Sequence, residues 1–415
     1  MNAENFQCED APTGTMCCKQ RDGDFGEVAM IEWKPTKLNE LGFVGRGKSR
    51  HRPRNAEFLY GGPYPFFQTG DIKAANFYLT EYSQTYSEEG LKQSKLWKPG
   101  TLCITIAANI AESAILGIEG CFPDSVVGFI ADPDKADVYF IKYYMEILKL
   151  QMQSVSRGTT QDNLSVDKLL TFDFQVPPLP VQRRIAGILS AYDELIENSQ
   201  RRIRILEEMA RALYREWFVH FRFPGHENHP LVPSSLGEIP QGWEVKLVKD
   251  ILSRRSAGTV YRDVDVKPEG AISVIDQSTN ELLGFHDNEP DHFATTMTPI
   301  AIFGDHTCKM QLLIEPFSVG PNVVPFAAGR NFPMTYIFYT VHSLVQTQEY
   351  KRHWISLNAK EVVVSDQMTA QRFASLIQPM LVAQEILSKR IRNLHRTRDL
   401  LLPRLLSGQV NPKEN

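Results

Sequence analysis

Two segments of the chain place apolar residues at alternating steps of four and three, which is the period of a coiled-coil helix. The first segment lies between Pro180 and Phe221, and only Ser199 interrupts its apolar series. At 1.5 Å per residue, about 40 residues predict a helix of roughly 60 Å. The apolar positions of this predicted seam are Ile185, Leu189, Tyr192, Ile196, Ile203, Leu206, Ala210, Leu213 and Trp217.

The second segment closes the chain and follows the same spacing, with Gln384 and Arg398 as its polar exceptions. We expect Arg398 either to pair with an acid on a partner helix or to extend its charged head out of the seam. Pro379 predicts a helix that begins after it or kinks there, and Gly408 predicts where the helix ends. The apolar seam positions are Phe373, Ile377, Met380, Leu387, Ile391, Leu394, Leu401 and Leu405.

The two heptad series superpose with an offset of 188 residues, and the segments before them are also related. Trp33 and Trp243 each open a short amphipathic stretch, at an offset of 210. The stretch around Val126 resembles the one around Val323, at an offset of 197. The falling offset predicts an internal duplication whose second copy has shorter loops.

Between each Trp and its heptad helix the sequence is mixed. Apolar runs between turn residues predict strands at 102–107, 126–130, 300–303 and 312–314, and helices are predicted at 138–152 and 335–357. The predicted class is α+β, with two tandem domains of mixed α/β structure, each followed by a long helix. The predicted boundaries are a poorly ordered N-terminal extension at 1–27, a first domain at 28–179, a first helix at 180–223, a linker at 224–236, a second domain at 237–370, a second helix at 371–408 and a tail at 409–415.

Composition narrows the class of protein. A chain of 415 residues with 42% hydrophobic and 23% charged residues suits two or three packed domains and excludes overall disorder. No apolar run approaches the ~20 residues of a membrane span, and no signal peptide opens the chain, so a cytoplasmic location is expected. The six cysteines form no CxxC pair, so neither a structural zinc site nor a disulfide framework is predicted, and no metal site is expected.

The net charge of −4 does not by itself indicate a nucleic-acid partner, so DNA contacts must come from local basic clusters. Arginine suits both phosphate groups and guanine edges. A solvent-exposed loop explains any single basic run equally well, but two runs in corresponding places favour DNA. The candidate DNA-binding residues are Arg46, Lys48, Arg50, Arg52 and Arg54 in the first copy, Arg254, Arg255 and Arg262 in the second, and Arg157, Thr159, Thr160 and Gln161 in a loop before the first helix.

Two heptad helices in one chain can bury their seams against each other and so hold two domains at a set distance. DNA half-sites one turn apart are separated by about 34 Å, which is within the length of such a helix. A monomer with this repeat would mimic a two-fold dimer, but its two domains could differ and would then read an asymmetric, split target.

Three stretches of the sequence are similar to a known family. They are PPLPVQ from Pro177 with Ile185-Ala186 and Leu195-Ile196-Glu197, GEIPQGW from Gly237, and RDLLLPRL from Arg398. With the tandem layout, the chain resembles the specificity (S) subunit of Type I restriction–modification systems over residues 30–410.

This resemblance implies that each domain is a target recognition domain that reads one half of a bipartite sequence in double-stranded DNA. The two helices would pack as an antiparallel coiled coil, set the gap between half-sites and dock two methyltransferase (modification) subunits, which motor-nuclease (restriction) subunits would join. S-adenosylmethionine, ATP and Mg²⁺ would bind in those partners, so neither a cofactor nor a catalytic residue is expected in this chain.

Two other functions are open at the level of sequence. A DNA-modifying enzyme is disfavoured because the only Pro-Pro pair follows Val176 and forms no DPPY-like tetrad, although Asp265 and Lys267 with Asp250 weakly mimic a metal nuclease motif. A coiled-coil scaffold that does not bind DNA fits the helices but not the basic loops. A specificity partner in a fused or modification-only system cannot be distinguished from the main hypothesis by this sequence.

Overall fold

The computed structural model describes residues 32–410 except 76, 158–163, 279–281, 330 and 348–351. The chain divides into two compact units: the first runs to Arg184 and includes the chain again from Leu406, and the second is Ile185–Leu405. Most of both long helices therefore groups with the second domain, whereas the sequence boundaries treat the helices as separate segments. The predicted extension at 1–27 lies outside the described residues, as do residues 411–415 of the predicted tail at 409–415.

The first unit is built on a five-stranded sheet in the order β2-β8-β6-β7-β4, in which only β4 and β7 run parallel. Its strands are β1 Lys34–Thr36, β2 Gly42–Arg46, β3 Tyr60–Phe66, β4 Tyr78–Leu79, β5 Gln84–Tyr86, β6 Leu102–Thr105, β7 Ser113–Leu116, β8 Val126–Ala131 and β9 Phe174–Val176. Its helices are α1 Leu38–Leu41, α2 Thr69–Ala74, α3 Glu88–Lys92, α4 Val138–Arg157 and α5 Val166–Leu169, followed by the start of α6 Leu179–Tyr214.

The second unit contains a four-stranded antiparallel sheet in the order β13-β19-β16-β17 and a three-stranded sheet in the order β15-β14-β18. Its strands are β10 Leu231–Ser234, β11 Gly237–Pro240, β12 Glu244–Leu247, β13 Leu252–Arg254, β14 Ile272–Ile275, β15 Leu282–His286, β16 Ile300–Gly304, β17 Met310–Leu313, β18 Phe317–Val319, β19 Val323–Ala328 and β20 Glu361–Val364. Its helices besides α6 are α7 Val248–Ile251, α8 Met334–Val341, α9 Trp354–Asn358 and α10 Gln367–Leu406.

Most of the elements predicted from the sequence are present in the structure. The four predicted strands are β6, β8, β16 and β17, and the predicted helix at 138–152 is α4. The predicted linker at 224–236 is different, because β10 lies within it and pairs with β11 in an antiparallel hairpin. The predicted helix at 335–357 is two separate helices, α8 and α9.

The predicted internal repeat is confirmed by the register of the strands. In the first unit Lys34 of β1 pairs with Val176 of β9, and in the second Glu244 of β12 pairs with Val364 of β20, at the offsets of 210 and 188. The pair Gly42–Ala131 of β2 and β8 recurs as Leu252–Ala328 of β13 and β19, at the offsets of 210 and 197. The insertions that change the offset therefore lie in the connections between strands.

The start of α6 is held by the side chain of Gln182, in the PPLPVQ stretch. Its Nε2 donates to the carbonyl oxygens of Pro177 at 2.9 Å and Lys135 at 3.0 Å, and its Oε1 accepts from the backbone N–H of Asp137 at 3.0 Å. Because this amide is buried, removal of any of these bonds would leave a polar atom unsatisfied. The first turn of α6 is thus tied to the segment that opens α4.

The second long helix begins earlier than predicted. Asp366 caps α10 by accepting from the backbone N–H of Thr369 at 2.9 Å and from its hydroxyl at 2.7 Å. The helix therefore begins four residues before the predicted boundary at 371 and twelve before Pro379, so the alternative in which it begins after this proline was wrong. It ends at Leu406, and Gly408 follows with a φ of 73°, as predicted for a residue that ends a helix.

The two long helices run antiparallel. Tyr214 near the end of α6 contacts Phe373 near the start of α10, with ring centroids 6.0 Å apart, and Asp193 in α6 bonds Arg398 in α10. As residue numbers rise along one helix, those of the contacted residues fall along the other. All ten positions of each heptad series, polar exceptions included, are buried or half-buried.

An aromatic cluster joins these helices to the second domain. Phe218, in the π-helical turn that follows α6, lies 5.2 Å from Phe373 of α10, 4.8 Å from Tyr336 of α8 and 5.7 Å from Trp243, measured between ring centroids. All four rings are buried.

Within the described residues, no helix is both long and apolar enough to span a membrane.

Candidate nucleic-acid interface

The first basic cluster consists of Arg46, Lys48, Arg50, Arg52 and Arg54. It begins at the end of β2, an edge strand, and continues into the following loop. Burial alternates along this run: Gly47 and Ser49 are buried, whereas Arg46, Lys48 and Arg50 are exposed. The sequence spacing of two residues thus places basic groups on one solvent-facing side.

Gly47 allows this loop to lie against the sheet. Its backbone N–H donates to the carbonyl oxygen of Val126 at 2.9 Å, and the N–H of Lys48 donates to that of Phe122 at 3.1 Å. A Cβ at position 47 would lie 2.3 Å from the carbonyl oxygen of Pro123, which no side chain can tolerate without movement of the backbone. Glycine is therefore required for the close approach that orients the first basic cluster.

Asp124 holds part of this cluster, although no local pattern in the sequence indicates it. Arg54 Nη2 lies 2.9 Å from both carboxylate oxygens of Asp124, and Arg46 Nε donates to the backbone carbonyl of the same residue. Arg52 donates to the carbonyl oxygen of Ser49 at 2.7 Å. These three arginines are therefore oriented by bonds within the protein.

Lys48 and Arg50 differ from the three arginines. Both side chains are exposed, and neither forms an ion pair or side-chain hydrogen bond within the part of the chain that the structure describes. Among the described residues, no acidic side chain pairs with either of these positive charges. A phosphate group is the natural counter-ion for such side chains.

Lys95 adds a further positive charge beside this cluster and was missed by sequence reasoning. Its ammonium lies 3.6 Å from the centroid of the Trp97 ring and 4.8 Å from that of Phe43. Burial, and secondarily the nearby charge of Lys48, lower the pKa of Lys95. The sequence could not reveal this approach, because it brings residues of β2 and of the segment before β6 together in space.

The second basic cluster consists of Arg254, Arg255 and Arg262, which are all exposed. Arg254 ends β13, the edge strand that corresponds to β2. It pairs with Phe326 as Val44 pairs with Phe129 in the first unit. Because Arg46 lies two residues beyond Val44, Arg254 and Arg46 point to equivalent faces of their strands.

The loop that carries Arg255 and Arg262 is held by one neighbouring segment. His292 Nε2 lies 3.2 Å from the carbonyl oxygen of Ala257, and Asp291 accepts from the backbone N–H of Thr259 at 2.9 Å. Burial lowers the pKa of His292, so its neutral form is favoured, and in the tautomer with a proton on Nε2 it donates to this carbonyl.

The end of the same loop is held by Tyr261. Its ring stacks on that of His286, with centroids 4.2 Å apart and planes 7° apart, and Asn288 donates to its hydroxyl at 3.3 Å. The second basic cluster therefore sits on a loop that is shaped before any partner binds, which reduces the entropy lost on binding.

The structure describes the remaining candidate residues only in part. Thr159, Thr160 and Gln161 lie outside the described residues, as does the side chain of Arg157, whose backbone ends α4. The carboxylate of Asp265 accepts from the backbone N–H of Arg262 at 2.9 Å. Lys267 pairs with Asp287 at 2.8 Å, and the described residues contain no group of three potential metal ligands.

Comparison with known proteins agrees with this architecture. A family model described as the Type I restriction modification DNA specificity domain matches residues 30–208. The Type I restriction enzyme MjaIX specificity subunit of Methanocaldococcus jannaschii is 24% identical over 95% of this chain and 97% of its own length. The MjaVIII specificity subunit of the same organism is 25% identical over 35% of this chain and 34% of its own length.

A solved structure is similar in fold. The crystal structure of the Type-I restriction-modification system S subunit from M. genitalium has a TM-score of 0.55 with 16% identity, over 93% of this chain and 97% of that one. The first domain and most of α6 thus match a Type I DNA specificity domain. Over nearly its whole length the chain is similar to Type I specificity subunits, so the resemblance inferred from its motifs is confirmed.

Proposed function

We propose that this chain is the DNA-sequence specificity subunit of a Type I restriction–modification complex, in which each globular domain reads one half of a bipartite duplex target. The observation that carries this proposal is the repeat itself: in both units the edge strand after the opening Trp segment ends in an exposed arginine and leads into a basic loop. Two copies of one DNA-contacting element are what a split target requires.

The first and second basic clusters support phosphate contact and base reading in different ways. Lys48 and Arg50, with uncompensated charge, suit the phosphate backbone, which supplies affinity but not sequence. Arg255 and Arg262 lie on a loop whose shape is set by His292 and Tyr261. A preformed loop can present an arginine fork to a guanine edge in a defined orientation.

The antiparallel helix pair supports the role of a spacer. α6 has 36 residues and α10 has 40, which correspond to roughly 54 and 60 Å. These lengths exceed the about 34 Å of one turn of DNA. We propose that the helix pair sets the gap between the half-sites.

Apolar side chains outside the seam support docking of partner subunits. Leu195 and Met209 of α6 are exposed and 14 residues apart, which places them on one face, and Ile386 and Leu400 of α10 have the same relation. These exposed apolar side chains are available for contact with a partner protein. We propose that two methyltransferase subunits bind the helices, that motor-nuclease subunits join through them, and that S-adenosylmethionine, ATP and Mg²⁺ bind in those partners and not here.

The test is co-expression of this chain with the methyltransferase subunit of its own genome, followed by single-molecule mapping of adenine methylation. We expect a stable complex and methylation of one split, asymmetric motif with a constant gap. Methylation without this chain, or of a continuous motif, would contradict the proposal. Mg²⁺-dependent cleavage by the isolated chain would instead favour an enzyme, and a complex that neither methylates nor binds duplex DNA would favour a scaffold.

A further inference from the structure

The second globular domain contacts α10 at two places outside the coiled-coil seam. Glu315, between β17 and β18, accepts two hydrogen bonds from Arg392: Nη1 lies 3.0 Å from Oε2, and Nη2 lies 2.8 Å from Oε1. Met297, in the loop before β16, accepts a bond from Gln378 Nε2 at 3.3 Å. Gln378 and Arg392 are two heptads apart, so both lie on one face of α10.

Because these two contacts are far apart along α10, together they restrict the angle between the second domain and the helix. Among the described residues, the apolar core that the domain shares with α10 extends along this helix as far as Leu381. Gln378 and Arg392 are separated by about 21 Å along the helix. A tilt of about 10° around the first contact would move the domain at the second by about 4 Å, which is comparable to one base-pair step of about 3.4 Å.

The Glu315–Arg392 pair differs in geometry from the Lys389–Glu385 pair of the same helix. A carboxylate that meets both ends of a guanidinium fork restricts orientation as well as distance. Lys389 and Glu385, by contrast, pair with each other within the same helix. Arg392 is half-exposed, so its pair with Glu315 should change an equilibrium by no more than about fivefold.

Both residue types recur in the first copy of the repeat. Arg204 precedes Arg392 by the heptad offset of 188, and Glu119 lies one residue after the position that corresponds to Glu315 at the offset of 197.

We propose that the Glu315–Arg392 pair is a positioning contact that holds the second domain at one angle on α10 and thereby restricts the gap between the DNA half-sites to a single length. This inference rests on the proposed function. The proposed function and this inference can fail separately. Tolerance of altered gaps is measured on the split motif that the unmodified complex methylates, so that motif must be found first.

The experiment compares the rate of methylation by the co-expressed complex on duplexes whose gap is the natural length, one base pair shorter and one base pair longer. The variants are Glu315→Gln, which keeps the shape of the side chain, and Arg392→Lys, which keeps its charge but not the fork. Glu385→Gln is the matched control, because it removes an ion pair of α10 that does not reach the domain. The charge-exchanged variant Glu315→Arg with Arg392→Glu tests restoration.

We expect Glu315→Gln and Arg392→Lys each to raise the rate on altered gaps, relative to the natural gap, by about two- to fivefold. Glu385→Gln should leave this ratio unchanged, and the exchanged pair should restore selectivity in part. Folded Glu315→Gln and Arg392→Lys complexes with the unmodified ratio would overturn the inference and leave the proposed function intact. A wild-type complex that methylates no split motif would overturn both.

Discussion

Arg398 of α10 donates a hydrogen bond to the carboxylate of Asp193 in α6, 205 positions away in the sequence. Arg398 occupies a seam position, so the hypothesis that it pairs with an acid on a partner helix is confirmed. Burial lowers the pKa of Arg398, but Asp193 and Asp399 more than reverse this effect, and the pKa lies above its ordinary value. The charge is thus retained inside the seam.

The Asp193–Arg398 pair predicts that alanine substitutions at Asp193 and Asp399 lower the free energy of unfolding by different amounts. The side chains of Arg398 and Asp193 are 24% and 13% exposed, whereas Asp399, which also bonds Arg398, is 62% exposed. Asp193→Ala should lower the free energy of unfolding by about 1–3 kcal/mol, because it leaves a partly buried guanidinium without its main partner. Asp399→Ala should cost less than about 1 kcal/mol. Urea unfolding measures both, and equal decreases would show that the seam pair has no special role.

A second prediction concerns the uncompensated charges of the first basic cluster. Lys48→Ala combined with Arg50→Ala should weaken duplex binding by the assembled complex. It should also reduce the slope of log affinity against log salt by about 0.9 for each phosphate that the variant no longer neutralises. Lys92→Ala is the control, because this exposed lysine already pairs with Glu89. An unchanged salt slope in the double variant would place Lys48 and Arg50 away from the DNA backbone.

A third prediction separates the shape of the basic loop from its charge. Gly47→Ala keeps every charge, but its Cβ would clash with the backbone of Pro123. We expect it to weaken DNA binding and to destabilise the protein by about 1–3 kcal/mol. Gly70→Ala, in α2 and with open space around the new Cβ, should be neutral or slightly stabilising. Equal DNA affinities and equal melting temperatures of the two variants would contradict this prediction.

A fourth prediction follows from the histidine that holds the second basic loop. Burial lowers the pKa of His292 below its ordinary value of 6.5, so folding favours the neutral ring. Its contribution to stability is complete above pH 6.5 and is lost as the pH falls from there through the lower folded-state pKa. The pKa values of His342 and His395 are also lowered, first by burial, so the stability of the second unit should fall on acidification.

The contribution of His292 can be isolated by comparison with His292→Gln, which keeps a donor for Ala257 but does not titrate. Melting temperatures at pH 7.5 and 5.0 should show a smaller drop in this variant than in the wild type. An equal drop would mean that protonation of His292 does not weaken the loop.

Local patterns in the sequence predicted much of the fold. The heptad spacing located both long helices, and the three offsets reproduced the register of β1 with β9 and of β2 with β8 in the second copy. The boundary predicted at 371 is four residues later than the start of α10, and the alternative start after Pro379 was wrong because the helix continues through this proline. The cap formed by Asp366 and Thr369 is a signal in the sequence that could have corrected it.

The candidate interface was less predictable, because its details depend on contacts between distant residues. Asp124 orients Arg54, Lys95 adds a charge beside Lys48, and Glu315 binds Arg392, yet none of these partners is adjacent in sequence. The basic run in the first copy contains no acid, and only the fold shows that one carboxylate lies beside it.

The most direct test of the account lengthens both helices together. Seven residues that preserve the heptad pattern are inserted after Ile196 in α6 and after Leu394 in α10, between the seam pair Asp193–Arg398 and the contact at Arg392. The added length is about 10 Å, or about three base pairs. The methylation map of the co-expressed complex should then show the same two half-sites with a gap about three base pairs longer. A folded complex that methylates the original motif with its original gap would contradict the claim that the helix pair sets the spacing.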